Sequence, residues 1–173
     1  SSTVPNERPD YPPMPVDPRR AIADLRELDR LTGGPGGARR VCWTDEWQRA
    51  RDFLRERLAE IDGVEVDVDE AANLWATLPG ARDGTLAVGS HIDSVPAGGW
   101  LDGALGVMAA LEILRTAAAE RPGHAVTLVD WADEEGARFG RSLFGSSSCA
   151  GTLDPDEVRE LRDRDGERLE DVL

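Results

Sequence analysis

A chain of 173 residues is long enough for one domain with a sizeable buried core, and 40% hydrophobic with 31% charged residues make a globular mixture, neither disordered nor membrane-embedded. Thirty-four acidic against twenty basic residues leave a formal charge of −14, a field that repels nucleic acid and anionic membrane, so neither is expected as a partner. No apolar run approaches the ~18 residues of a membrane span, and the first residues carry no secretory or transit signal; two isolated cysteines, Cys42 and Cys149, fit a reducing cytoplasm better than a disulfide scaffold.

Residues 1–16, rich in Pro, Ser and charge, read as an extended arm. From Asp17 the pattern changes. "DPRRAIADLRELDRLTGG" predicts a helix with Asp17 as cap, Pro18 at its first position and Ile22, Leu25, Leu28 and Leu31 as its apolar residues. Gly33 and Gly34 end it, and "GGPGGARRV" reads as a loop on composition. "TDEWQRARDFLRERLAEIDG" predicts a second amphipathic helix, capped by Thr44, stopped by Gly63, and burying Trp47, Phe53, Leu54, Leu58 and Ile61. "VEVDVDE" alternates with period two, as a strand with one wet face does, and "NLWATLPG" is its expected partner.

"TLAVGSHID" alternates less and is more apolar, which predicts a strand covered on both faces. A glycine loop leads to the long helix "DGALGVMAALEILRTAAAERPG", and "HAVTLVDWA" is another continuous apolar strand. Helix, helix, three strands, helix, strand argues for an α/β domain with a mixed, mostly buried sheet.

In such sheets function gathers at the carboxyl ends of strands. Both apolar strands end in polar clusters: His91 and Asp93 after the first, Asp133, Glu134 and Glu135 after the second. Imidazole nitrogen and carboxylate oxygen suit a divalent metal of borderline hardness. His91 can supply the nitrogen. Asp93, two residues on in an extended segment, projects to the same side and can hold the second ring nitrogen. Asp102 has two plain explanations, capping the helix that follows or complementing its dipole, and a sharper one as a carboxylate bridging two metals. Of the adjacent Glu134 and Glu135, one can bind metal while the other acts as general base toward an activated water. Each fragment alone is commonplace in turns; together at two strand ends they favour a metal site.

"GSHIDSVPAGGWLDGALGVMAALEIL" followed by "DWADEEGARFGRSLFGSSSCAG" resembles the amidohydrolase branch of the M20 metallopeptidase family: N-carbamoyl-L-amino-acid hydrolases, allantoate amidohydrolases and β-ureidopropionases. "RRVCWTDEWQRARDFLRERL", "EVDVDEAANLWATLPG" and "GTLDPDEV" extend the likeness over roughly residues 17 to 173. The resemblance implies a zinc-exopeptidase-like α/β fold, a mixed sheet flanked by helices, carrying two divalent ions, zinc or manganese with cobalt or nickel as alternatives. It implies that His91 binds the first metal and Asp93 orients it, Asp102 bridges the two, Glu135 binds the second and Glu134 is the general base. The implied reaction is hydrolysis of the carbamoyl (ureido) C–N bond of a small molecule, an N-carbamoyl amino acid or an allantoate-like compound, in a cytoplasmic homodimer.

The family pattern also requires two further metal-binding histidines, and the chain offers only His124, which opens a strand at the far end of the sheet. The expectation is therefore an incomplete catalytic domain: residues 17–173 as the amino-terminal part, without the inserted dimerisation domain and the carboxyl-terminal half, and inactive by itself. An M20 aminoacylase or dipeptidase is the nearest rival reading, and a non-catalytic truncated remnant is another. Elsewhere, Arg138 and Phe139 either shape the pocket floor or form a structural corner with Phe139 in the core and Arg138 paired to a carboxylate; His124 is expected at the surface, and Cys149 buried and inert.

Overall fold

A computed structural model describes residues 16–173. The extended arm expected over residues 1–16 lies outside the described residues except for Val16. Twelve elements follow: α1 (Pro18–Thr32), β1 (Gly33–Gly34), β2 (Gly37–Ala38), α2 (Asp45–Ala59), β3 (Glu65–Val68), β4 (Leu74–Leu78), β5 (Arg82–His91), α3 (Ala104–Glu120), β6 (His124–Trp131), α4 (Phe144–Cys149), α5 (Pro155–Glu160) and α6 (Leu169–Val172).

Both predicted amino-terminal helices form with the predicted caps. The Asp17 side chain accepts the Arg19 N–H, and Thr44 accepts that of Trp47. The five apolar residues predicted for the second helix are all buried, four of them in α2 and Ile61 two residues past its end. In α1 only Leu25 and Leu28 are; Ile22 and Leu31 are exposed. The reason is geometric. Nine residues separate them, which at 3.6 residues per turn places them roughly 180° apart, so no single face can bury both. Ala21, Asp24 and Thr32 complete the inner face instead. The glycine loop is more ordered than its composition predicts: Gly33 pairs with Ala38 and Gly34 with Gly37 in a small hairpin turned by Pro35 and Gly36.

The main sheet is mixed and runs β3-β4-β6-β5. β4 pairs antiparallel with β3 and with β6, whereas β5 lies parallel to β6, with His91 opposite Trp131. The β5-α3-β6 crossover makes that parallel pair possible. Helices α1, α2 and α3 pack on one face, where Leu54, Leu58, Leu74, Met108, Leu111, Leu114 and Leu128 form the fully buried centre. Trp75, Thr77, Thr85, Ala87 and Thr127 line the opposite face, with Trp75 and Trp131 packed edge to face at 5.2 Å.

Two strand expectations change. β3 is exposed along its whole length, Val66 and Val68 included, because it is an edge strand and the helical layer does not reach it. β5 is mostly exposed rather than covered: its outer edge has no strand partner among the described residues, and Leu86 is 57% exposed. β6, flanked on both sides, buries residues 126 to 130 as predicted.

Candidate metal centre

Because β5 and β6 are parallel neighbours, their carboxyl ends lie side by side, and each continues directly into its polar cluster. His91 is the last residue of β5; Glu134 and Glu135 follow β6 by three and four positions. Between them the chain crosses α3, whose entry carries Asp102. The structure brings His91, Asp102 and Glu135 together: one ligand atom from each lies within 4.8 Å of the others.

Asp102 does not cap α3. The cap position is Gly103, at φ 62°, and no side-chain capping bond is made there. Of the readings of Asp102, the structure removes capping and places its carboxylate beside His91. Gly103 is required by two facts at once. Its positive φ suits glycine, and a Cβ at that position would stand 2.3 Å from the His91 carbonyl and 2.5 Å from Nδ1 of the ring. The imidazole therefore rests against bare backbone.

Asp93 is the hub of the cluster. Its carboxylate, almost fully buried, lies 3.3 Å from His91 Nδ1, while its main-chain carbonyl lies 3.1 Å from the same nitrogen. The same carboxylate accepts the Glu134 N–H at 3.3 Å and the Glu135 N–H at 3.1 Å. One side chain thus orients the imidazole and anchors both glutamates. With Nδ1 engaged, Nε2 is the nitrogen left for a metal. Burial lowers the His91 pKa, but the hydrogen bond and charge of Asp93 outweigh it and carry it up to about 9. A metal must therefore displace a proton at neutral pH.

Glu134 stands outside the trio of ligand atoms. Its Oε1 accepts the Ser146 N–H at 3.0 Å, and Oε2 has no hydrogen-bond partner among the described residues. Behind it, Asp133 is buried at φ 51° with neither carboxylate oxygen hydrogen-bonded among the described residues; burial first, and the Asp93 charge second, push its pKa up to about 7.

Sequence reasoning missed the residues that hold these segments in place. Asn73, fully buried, accepts the Ala132 N–H with Oδ1 and donates Nδ2 to Asp69 and to the Gly145 carbonyl, tying β4 to the turn after β6. Asp130 accepts the Ile92 N–H at 2.7 Å and faces Arg51 across 2.6 Å, a contact that is an ion pair rather than an aligned hydrogen bond. Nothing in a lone Asn or Asp within an apolar strand announces such a role. Arg138 and Phe139 take the structural-corner reading of the two, the first paired with Asp163 and Glu167, the second buried against Trp43. Cys149 does not: it is exposed at the end of α4, a six-residue helix that buries only Phe144 and Gly145. Cys42 is the buried cysteine. His124 is exposed at the start of β6, as predicted, with Nδ1 2.8 Å from the Asp83 carbonyl.

The family model of peptidase family M28 matches residues 73–162, just over half of the chain, a span that holds every residue of this cluster. The chain belongs to peptidase family M28. Its relatives are the ureido hydrolases that the motif blocks resemble, so the likeness to the M20-type amidohydrolase branch, amino-terminal portion, holds. An N-carbamoyl-L-amino acid amidohydrolase of Geobacillus stearothermophilus is 40% identical over 86% of this chain and 37% of its own length. An allantoate amidohydrolase of Escherichia coli (strain K12) is 35% identical, over 90% of this chain and 39% of its own. Among solved structures, a hydantoinase/carbamoylase family amidase from Burkholderia ambifaria superposes with a TM-score of 0.86 at 33% identity, over 92% of this chain and 40% of that one. The fold is thus the zinc-exopeptidase-like mixed sheet flanked by helices. The chain spans about two fifths of the length of these relatives, which are themselves amidohydrolases and an amidase. No helix among the described residues is long and apolar enough to cross a membrane.

Proposed function

We propose that the chain carries the first half of the metal site of an amidohydrolase that cleaves the carbamoyl C–N bond of N-carbamoyl amino acids or allantoate-like compounds. The observation that supports this most is the convergence of His91, Asp102 and Glu135 within 4.8 Å, backed by Asp93. One imidazole and two carboxylates suit zinc, manganese, cobalt or nickel. When bound, such an ion supplies a Lewis acid that polarises the carbonyl and acidifies water. His91, Asp102 and Glu135 would hold it, with Asp102 shared toward a second ion. Asp93 keeps His91 in the tautomer that presents Nε2. Glu134, held by the Ser146 N–H, takes the proton from the attacking water at Oε2 and returns it to the departing nitrogen. The amino compound, ammonia and carbon dioxide are the products.

Three protein donors serve one ion with an open position; two ions need more. We therefore assign residues 17–173 to the amino-terminal part of the catalytic domain. The 173-residue polypeptide by itself binds one ion weakly and has negligible turnover, and the intact enzyme is a cytoplasmic homodimer. The outer edge of β5, which has no strand partner among the described residues and exposes Leu86, supports this domain assignment.

The test has two arms. Titration of the chain with Co²⁺, followed by visible absorption, should show one ion bound, and His91→Ala should abolish it. The longest polypeptide that the coding sequence specifies, assayed on N-carbamoyl and N-acyl amino acids side by side, should prefer the carbamoyl series. Glu134→Gln should cut its kcat at least about 100-fold with metal retained. Turnover of the acyl series alone would make it an aminoacylase.

A further inference from the structure

The glycine-rich hairpin and the two arginines after it have no part in the reaction as described, yet they lie along the segment that carries His91 and Asp102. Ala38 and Gly98 exchange backbone hydrogen bonds, Ala38 N–H to the Gly98 carbonyl at 2.9 Å and Gly98 N–H back at 3.2 Å. Two residues on, the Ser94 N–H donates to the Arg40 carbonyl at 2.9 Å, and the Arg40 N–H donates to Ser94 Oγ at 3.0 Å. Gly37 explains the glycines: at φ 129°, a Cβ there would stand 2.4 Å from the Gly98 carbonyl oxygen. Residues 37–40 are a strap pressed against residues 94–98, the stretch that separates the His91 ligand from the Asp102 ligand.

The Arg40 side chain continues inward from this strap and is fully buried. Among the described residues it forms no salt bridge. It spends its donors on neutral oxygens instead: Nε on the Ile92 carbonyl at 2.7 Å, and the two terminal nitrogens in long 3.5 Å contacts with Thr32 Oγ1 and the Trp100 carbonyl. Ile92 follows His91; Trp100 precedes Asp102 by two. The Ile92 peptide is gripped from the other side as well, its N–H donating to Asp130 at 2.7 Å. The charges of Asp29, Asp93 and Asp130 act on this cation only from beyond salt-bridge distance, so its directed contacts all go to neutral oxygens of the two segments, an arrangement that favours geometry over stability.

We propose that Arg40 is a positioning residue of the metal centre: its guanidinium fixes the distance between the His91 and Asp102 segments, and the glycine hairpin exists to bring it there. This rests on the reading that His91, Asp102 and Glu135 bind metal. Arg40 touches neither metal nor substrate; it acts through the two backbones.

The test is Co²⁺ affinity, measured by visible absorption and by competition with a chelator, in Arg40→Lys and in Leu54→Ala. Lysine keeps the charge but cannot span two carbonyls. Leu54 is an equally buried core residue on α2 and serves as the control for loss of stability. Arg40→Lys should weaken Co²⁺ binding about 10-fold and shift the absorption bands, as loss of an outer-shell partner does, while Leu54→Ala changes affinity less than about twofold whatever its melting temperature. Native-like affinity in Arg40→Lys, with binding still lost in His91→Ala, overturns the role of Arg40 alone. An equal loss in Leu54→Ala does the same. Absence of Co²⁺ binding in the native chain, or binding that survives His91→Ala, overturns the metal reading and this proposal with it. Where Arg40→Lys fails to fold, Ser94→Ala, which removes one strap contact, decides: a severalfold weakening supports the strap, and unchanged affinity refutes it.

Discussion

Asp93 shows how much one carboxylate can do when it is buried among donors. It accepts from two consecutive backbone amides and lies 3.3 Å from an imidazole nitrogen, so it fixes the positions of three residues while itself almost fully buried. Asparagine at this position keeps one acceptor oxygen and replaces the other with a donor, so either Glu134 or Glu135 loses its anchor. Asp93→Asn should weaken Co²⁺ binding about 10- to 100-fold, read in the same chelator competition. The pairing of His91 with Asp93 was legible from the H-x-D spacing, since residues two apart in an extended segment share a side. That the same carboxylate also holds Glu134 and Glu135 was not, because 41 and 42 residues of chain separate the partners and only the parallel alignment of β5 with β6 closes that gap.

Among the elements, α1 and α3 are joined by an ion cluster remote from the site. Glu112, fully buried on α3, accepts Arg20 through both oxygens, at 2.6 and 2.9 Å, and the Asp17 N–H at 2.9 Å. Burial raises its pKa, but the Arg20 hydrogen bond and the Asp17 N–H outweigh that and set it below the ordinary glutamate range. A carboxylate with a depressed folded-state pKa stabilises the fold above its unfolded-state value and loses that contribution as the pH falls through the folded one. Glu112→Gln should therefore cost about 2 kcal/mol at pH 7, and the difference from the native chain should narrow below pH 4.5, measured by urea unfolding across pH. Half of Arg20 is solvent-exposed, which keeps the figure from being larger. Caps and stripes made α1 and α2 legible, because both signals are local. The exposure of β5 was not legible: an apolar strand announces that it is suited to burial, and cannot announce what covers it.

For the whole molecule, the outer edge of β5, unpaired among the described residues, is set against the net charge. Exposed backbone donors and acceptors beside Leu86 form a template for pairing with another strand, while −14 charges hold copies apart. Salt screens the second effect and leaves the first, so the chain should self-associate more at 0.5 M than at 0.05 M NaCl, and Leu86→Lys should reduce this, as sedimentation velocity would show. The order of the seven main elements from α1 to β6 and the α/β class were visible from the alternation of helical and strand patterns, the β1–β2 hairpin and the short helices α4 to α6 were not, and neither was which strands would stand at the edges, since strand order depends on pairings that no single segment encodes.

The crossover from β5 through α3 to β6 has a last consequence. His91 and Glu135 become neighbours only after the intervening chain has formed its helix and returned parallel to where it began. An ion thus finds no preformed nest in the unfolded polypeptide and cannot template the fold. It recognises only the finished molecule, and so acts as a late clasp that delays opening rather than a seed that hastens closing.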